Sequence, residues 1–205
     1  MSSINRPFGL SAQINIGGKY KGQTNPYPIV DTTTPIGIQD ALRPALVGGN
    51  YGLGRAVAAG TQTTAAYQIT GVAQGFEYID TYGNVVYAKY IPANVPLYAG
   101  SFVYATVADD PYGVYEIQCN AAIANGAFII GRNYDLVIAN ANAQSGFSTM
   151  ALNLSTVTAN AYTNLKVIGL GTSTIPPLSN SWNDNYPVVN VIINNHAYKA
   201  PTTGL

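Results

Sequence analysis

The sequence predicts an all-β protein: an antiparallel β-barrel or sandwich domain over residues 49–205, preceded by an extended N-terminal arm over residues 1–48. Three observations carry this. Apolar and polar residues alternate with a period of two through several short runs, as a half-buried strand requires. Clusters of Gly, Pro, Asn and Asp separate those runs at turn-like spacing. Pro7, Pro26, Pro28, Pro35 and Pro44, with glycines between them, interrupt the first 48 residues too often for a long helix or a central strand.

The arm still carries Ile4, Phe8, Leu10, Ile14, Ile16, Tyr20, Tyr27, Ile29, Ile36 and Leu42, so its composition is not that of a disordered tail. It is expected to order against a surface, either a neighbouring subunit or its own domain; at ~3.3 Å per residue it would reach over about 100 Å when stretched. Beyond it, Gly52 and Gly54 lack the third glycine and the strand-turn-helix context of a dinucleotide loop. Tyr67–Ala73 has strand character.

Two hairpins are expected next. Phe76–Asp80 faces Val85–Tyr90 across Thr81–Asn84, whose Gly and Asn tolerate positive φ. Phe102–Val107 faces Val114–Cys119 across Asp109–Gly113, with Val103, Ala105, Val107, Tyr115, Ile117 and Cys119 on the core face and Tyr104, Thr106, Glu116 and Gln118 on the other. A short helical turn is expected around Asn120–Asn125. Strands follow at Phe128–Gly131, Leu136–Ala139, Phe147–Leu154, Leu165–Leu170 and Val188–Asn194, with an Asn-rich loop around Trp182 before the last.

Composition limits what such a domain does. Only 9% of residues are charged, against a usual share of about a quarter, so Asn, Thr, Ser, Gln and 16 Tyr carry the polarity. A surface of uncharged polar groups is covered by another chain at a smaller desolvation penalty than one of Lys and Glu, which favours an assembly component. Nine basic and nine acidic residues balance, with no basic cluster, so neither nucleic acid nor an anionic membrane is an expected partner. The single Cys119 rules out a disulfide framework, and the N-terminus has no apolar signal region before Pro7, which predicts a protein made and kept without secretion.

No catalytic, cofactor or metal site is expected. The one histidine, His196, has no nucleophile elbow to serve and reads as a hydrogen-bonding residue at the end of the last strand. Asp109 with Asp110, or Glu77 with Asp80, would supply paired carboxylates, but Asp109 and Asp110 lie in a Pro–Gly turn that they are better placed to cap. Calcium would need a third acidic ligand beside them, and Gly169–Thr172 lacks the lysine of a phosphate loop. The Tyr-rich faces suit either a protein partner or the stacking of sugars. Exposed aromatic character selects Phe8, Tyr20, Tyr27 and Tyr104 as partner-binding residues.

Ordered blocks along residues 71–198 resemble minor capsid proteins of tailed bacteriophages. They are Gly75–Asp80, Tyr90–Asn94, Ala108–Pro111 followed by Val114–Gln118, Gly146–Met150, Leu165–Gly169 and Val191–Tyr198; Ile91 stands where the family carries an aromatic residue. The resemblance implies a β-rich cement or decoration subunit, without catalytic residues, made in the host cytoplasm and seated on the capsid exterior of the virion. Its implied partner is the major capsid protein, with self-association as a trimer, or as a dimer. The rival expectation is a carbohydrate-binding or host-adhesion module of a phage particle.

Overall fold

A chain of short strands must bury its apolar faces by pairing many of them. The computed structural model describes residues 4–15, 24–57, 68–124, 129–158, 160–171 and 180–203, and these form fourteen strands and no helix. In chain order they are β1 (Ser11–Asn15), β2 (Asn25–Asp31), β3 (Ile36–Gly37), β4 (Ala41–Val47), β5 (Asn50–Arg55), β6 (Gly71–Ile79) and β7 (Val85–Ala88). Then come β8 (Tyr90–Ile91), β9 (Val103–Ala108), β10 (Gly113–Gln118), β11 (Asn133–Val137), β12 (Ala151–Thr158), β13 (Leu165–Leu170) and β14 (Val188–Ile193). The all-β class is as the sequence predicts.

The strands build two six-stranded sheets. One has the order β4-β5-β2-β9-β6-β7, and its long strand β6 also pairs with β4 through Ala41–Val72 and Leu42–Gly71. That pairing closes β4, β5, β2, β9 and β6 into a ring, with β7 carried on the far half of β6. Gly71 permits the closure: a side chain there would run into the Ala108 carbonyl of β9. Ile29, Leu42, Leu53, Phe76, Val103, Ala105 and Val107 belong to the core of this sheet, together with Ile36 and Ile91 of the small β3–β8 pair.

The other sheet runs β1-β10-β14-β13-β11-β12, and the Cys119–Leu152 bridge brings the end of β10 back to β12. Tyr115, Ile117, Leu136, Leu152, Leu165, Val167, Val189, Val191 and Ile193 pack in its core. Leu10, Ala41, Ile69, Val72 and Ala108 join the same cluster, so the two sheets share a continuous apolar contact.

Of the two surfaces open to the expected arm, its described residues order against their own domain, woven into both sheets. Leu10, Ile29, Ile36 and Leu42 are at most 1% exposed, and burying them on this chain outweighs leaving them for a neighbour. Residues 4–15 form a strap along β10: the Arg6 N–H donates to Gln118 Oε1 at 2.8 Å, Gln118 Nε2 donates to the Ile4 carbonyl at 2.9 Å, and β1 pairs antiparallel with β10. The expected boundary at residue 48 falls in the Gly48–Gly49 turn of the β4–β5 hairpin, where both glycines have positive φ. β2 is a central strand despite Pro26 and Pro28. Prolines at alternate positions remove donors on one side only, leaving Asn25, Tyr27 and Ile29 to carry the ladder with β9, while β5 joins only from Ile29 onward.

The two expected hairpins fared differently. The first forms, with Phe76–Ala88, Glu77–Tyr87, Tyr78–Val86 and Ile79–Val85 in register and Gly83 at φ 88° in the loop. The second does not: β9 pairs with β2 and β6, and β10 pairs with β1 and β14, so the chain switches sheets at Asp109–Tyr112. Every residue of β10 is buried, including Glu116 and Gln118, because β1 and the strap cover what an isolated hairpin would leave wet. Residues 120–124 bend without forming a helix, Ile129–Gly131 make a turn where a strand was expected, and Tyr67, Asn125 and Phe128 lie outside the described residues.

Candidate functional site

Alternation along β9 and β6 sends Val103, Ala105 and Phe76 inward and Tyr104 and Glu77 outward. Register then aligns Pro28, Tyr104, Glu77 and Tyr87 in one row across β2, β9, β6 and β7. The next row places Ile79 opposite Val85, and Phe102 lies just before β9. Tyr104 is 49% exposed and Tyr87 78%, and Val85, Ile79 and Phe102 are also open to solvent. This is an outer face of aromatic and aliphatic side chains around one carboxylate, that of Glu77.

An open pocket of about 310 Å³ indents that face, lined by Glu77, Tyr78, Ile79, Gly100, Ser101, Phe102 and Tyr104. Its rim is tied down. The Tyr98 N–H donates to the Ile79 carbonyl and the Ser101 N–H to the Tyr98 carbonyl, both at 3.0 Å, and Gly100 turns the chain at φ 80°. Among the described residues the Glu77 side chain makes no hydrogen bond or ion pair.

The sequence-selected aromatic residues divide. Tyr104 is on the outer face. Tyr27 is on the opposite, inward face of β2, two residues from buried Ile29, and packs against the core. Its hydroxyl donates to Asp109 Oδ2 at 2.6 Å and lies 3.0 Å from the Tyr198 hydroxyl; partial burial, then these hydrogen bonds, push its ionisation far above the ordinary tyrosine value. Tyr27 is therefore part of a polar latch and not an outward contact. Phe8 is half-buried in the strap, and Tyr20 lies outside the described residues. Tyr87, Ile79, Val85 and Glu77 were missed, although their period-two spacing about buried Phe76 was a usable signal.

No family model, curated protein or solved structure matches the chain.

Apart from Glu77, the residues weighed for chemistry are committed to structure. Asp109 Oδ1 and Oδ2 accept from Asn25 Nδ2 at 3.1 and 2.9 Å, and Asp110 Oδ1 accepts the Tyr112 N–H at 2.8 Å. Asp80 Oδ1 accepts the Tyr82 and Asn84 N–H groups across its hairpin loop, which holds this exposed carboxyl below its ordinary value. His196 is fully buried; burial and then the Lys199 charge push its imidazolium down to about 4 against the upward pull of Asp109 and Asp110. Its Nδ1 accepts the Tyr198 N–H at 3.0 Å, as the neutral ring allows. Burial pushes the Cys119 thiol up to about 12, which makes it a poor nucleophile. Among the described residues no three of His, Cys, Asp and Glu gather at metal-binding distance.

Proposed function

We propose that this protein is a non-enzymatic virion structural subunit that binds the outer surface of a shell of major capsid protein and stabilises its expanded form. The observation that carries the reading is the outward row of Tyr104 and Tyr87 with Phe102, Ile79 and Val85, an aromatic surface of the kind that anchors protein contacts, on a chain with few charges to desolvate. The resemblance of residues 71–198 to phage minor capsid proteins supplies the identity of the partner. Self-association as a trimer, or a dimer, at symmetry positions of the shell belongs to the same proposal.

The mechanism is linkage. A subunit that binds the expanded shell and not the unexpanded one stabilises the former by mass action, and repetition over a symmetric lattice turns a modest contact into avidity. The aromatic face supplies the contact. The two sheets, packed through a shared core, supply a rigid mount, so little ordering entropy opposes binding.

Co-sedimentation with empty expanded capsids that lack the protein tests this. Wild type is expected in the particle pellet and Tyr87→Ser/Tyr104→Ser in the supernatant, with both equally folded because these side chains face solvent. Wild type left in the supernatant would overturn the proposal. Deleting the N-terminal segment 1–48 would remove strands of both sheets and unfold the mount along with any contact. The rival role, a carbohydrate-binding or host-adhesion module, draws on the same face and predicts retention on a glycan array with no effect on shell strength.

A further inference from the structure

Glu77 sits between two exposed tyrosines. It pairs with Tyr104 on one neighbouring strand and Tyr87 on the other, so its carboxylate rises from the sheet flanked by a ring on each side. It also lines the pocket with Phe102, Tyr104 and Ser101. Exposed carboxylates on a sheet commonly lean on a cross-strand Lys or Arg; this one does not. Lys89, the first basic residue after β7, makes no ion pair with it, and the Lys89 Cβ lies close to Gly146.

The donor and acceptor inventory decides which ligand fits. An ionised carboxylate only accepts hydrogen bonds, and the pocket's remaining side-chain polar atoms are hydroxyls of Ser101 and the tyrosines. A sugar presents hydroxyls that both donate and accept, and is held best where amide or guanidinium donors converge with acceptors; the pocket lining contains no Asn, Gln, Arg or Lys. A guanidinium is the complement: five donors, no acceptor, a planar fork that meets a carboxylate bidentately, and a flat face that stacks on aromatic rings.

We infer that this pocket is a socket for an arginine side chain of the partner protein, with Glu77 taking the guanidinium fork and Tyr104 and Phe102 supplying the aromatic walls. The socket rests on the proposed reading of the face as a protein-binding surface, and it adds the chemistry of the partner. The partner's surface presents an arginine surrounded by apolar residues that cover Ile79, Val85 and Tyr87. One negative charge in an otherwise uncharged pocket lining then sets orientation, because an acidic side chain placed there meets repulsion with no compensating charge. The rim hydrogen bonds of Tyr98 and Ser101 hold the pocket open before binding, so the guanidinium enters a formed site.

The test is a nuclear magnetic resonance titration of the full isotope-labelled chain with N-acetyl-arginine amide, N-acetyl-lysine amide, the neutral isostere N-acetyl-citrulline amide and a neutral oligosaccharide. The arginine compound is expected to shift the resonances of Glu77, Ile79 and Gly100–Tyr104 saturably, the lysine compound more weakly, and citrulline not at all. Glu77→Gln should weaken the arginine response about tenfold or more, the loss of a charge-assisted pair, with the rest of the spectrum unchanged because Glu77 is exposed. No response to arginine, an equal response to citrulline, an unaltered response in Glu77→Gln, or saturation by the oligosaccharide would each overturn the socket. Particle sedimentation keeps the two proposals apart. Glu77→Gln that pellets as well as wild type removes the socket and leaves shell binding standing, whereas wild type that does not pellet removes shell binding while the titration still decides the socket.

Discussion

Two buried ionisable groups should oppose one another in the acid stability of this protein. Asp40 is fully buried between β3 and β4; burial pushes its carboxyl from 3.8 up to about 6, against the downward pulls of Ser148, the Gly37 N–H and Arg55. Its Oδ2 accepts the Gly37 N–H at 2.8 Å. The fold holds a proton there that the unfolded chain has released, so between about pH 3.8 and pH 6 stability falls as pH rises, by about 3 kcal/mol across the window. His196 works the other way. The unfolded chain protonates near 6.5 and the fold only near 4, so stability falls as pH drops through that interval, again by about 3 kcal/mol. In the wild type the two slopes nearly cancel. Asp40→Asn keeps an oxygen for the Gly37 N–H and removes one slope; His196→Gln removes the other. Urea midpoints at several values between pH 4 and pH 8 give the difference from wild type, in which all other groups drop out. Asp40→Asn should gain about 3 kcal/mol on wild type between pH 4 and pH 8, and His196→Gln should lose about as much over the same range. Difference curves that are flat with pH, or that slope together, would refute the assignment of these two groups.

Three further outcomes are expected. Tyr27→Phe, which strips the hydroxyl from Asp109 and Tyr198, should destabilise the protein by about 1–3 kcal/mol in urea unfolding, since Asp109 is left buried with a lost donor. Leu10→Ala, in the middle of the strap, should remove about 2–5 kcal/mol because Leu10 is 0% exposed in the shared core, whereas Ile4→Ala at the exposed end should change little. Cys119 should stay unreactive towards a thiol reagent in the native protein and react at once on unfolding; rapid native labelling would contradict its burial.

The strand class and several registers were legible in the sequence because local pattern specifies them: β13 and β14 fall where alternation places them, and the β6–β7 hairpin follows from its Gly–Asn loop. The β9–β10 relation was not legible. Two alternating runs around a Pro–Gly turn look the same whether the chain folds back on itself or changes sheet, and the difference is made by distant partners, β2 and β6 for one strand and β1 and β14 for the other. Glu116 and Gln118 read as a wet face because nothing nearby in sequence announces that residues 4–15 cover them. The same limit sorted Tyr27 from Tyr104. Aromatic character alone does not tell the two faces of a sheet apart, and parity with buried Ile29 and Val103 does.

The strand order also sets a timetable for synthesis. Strands β2 to β9 close their ring once about the first 108 residues have emerged, whereas the other sheet has β14 lodged between β10 and β13 and has to wait for residue 193. At ~5–20 residues per second, the roughly 85 residues between these points take about 4–17 s on the ribosome. For that interval the finished ring carries Ile69, Val72 and Ala108 without their full cover, and the β1–β10 pair, complete from residue 118, has no β14 to join it to the rest of its sheet. A nascent chain of this protein thus shows most of its unpaired strand edge and uncovered apolar surface between these two points of its own translation, and loses it when β14 arrives.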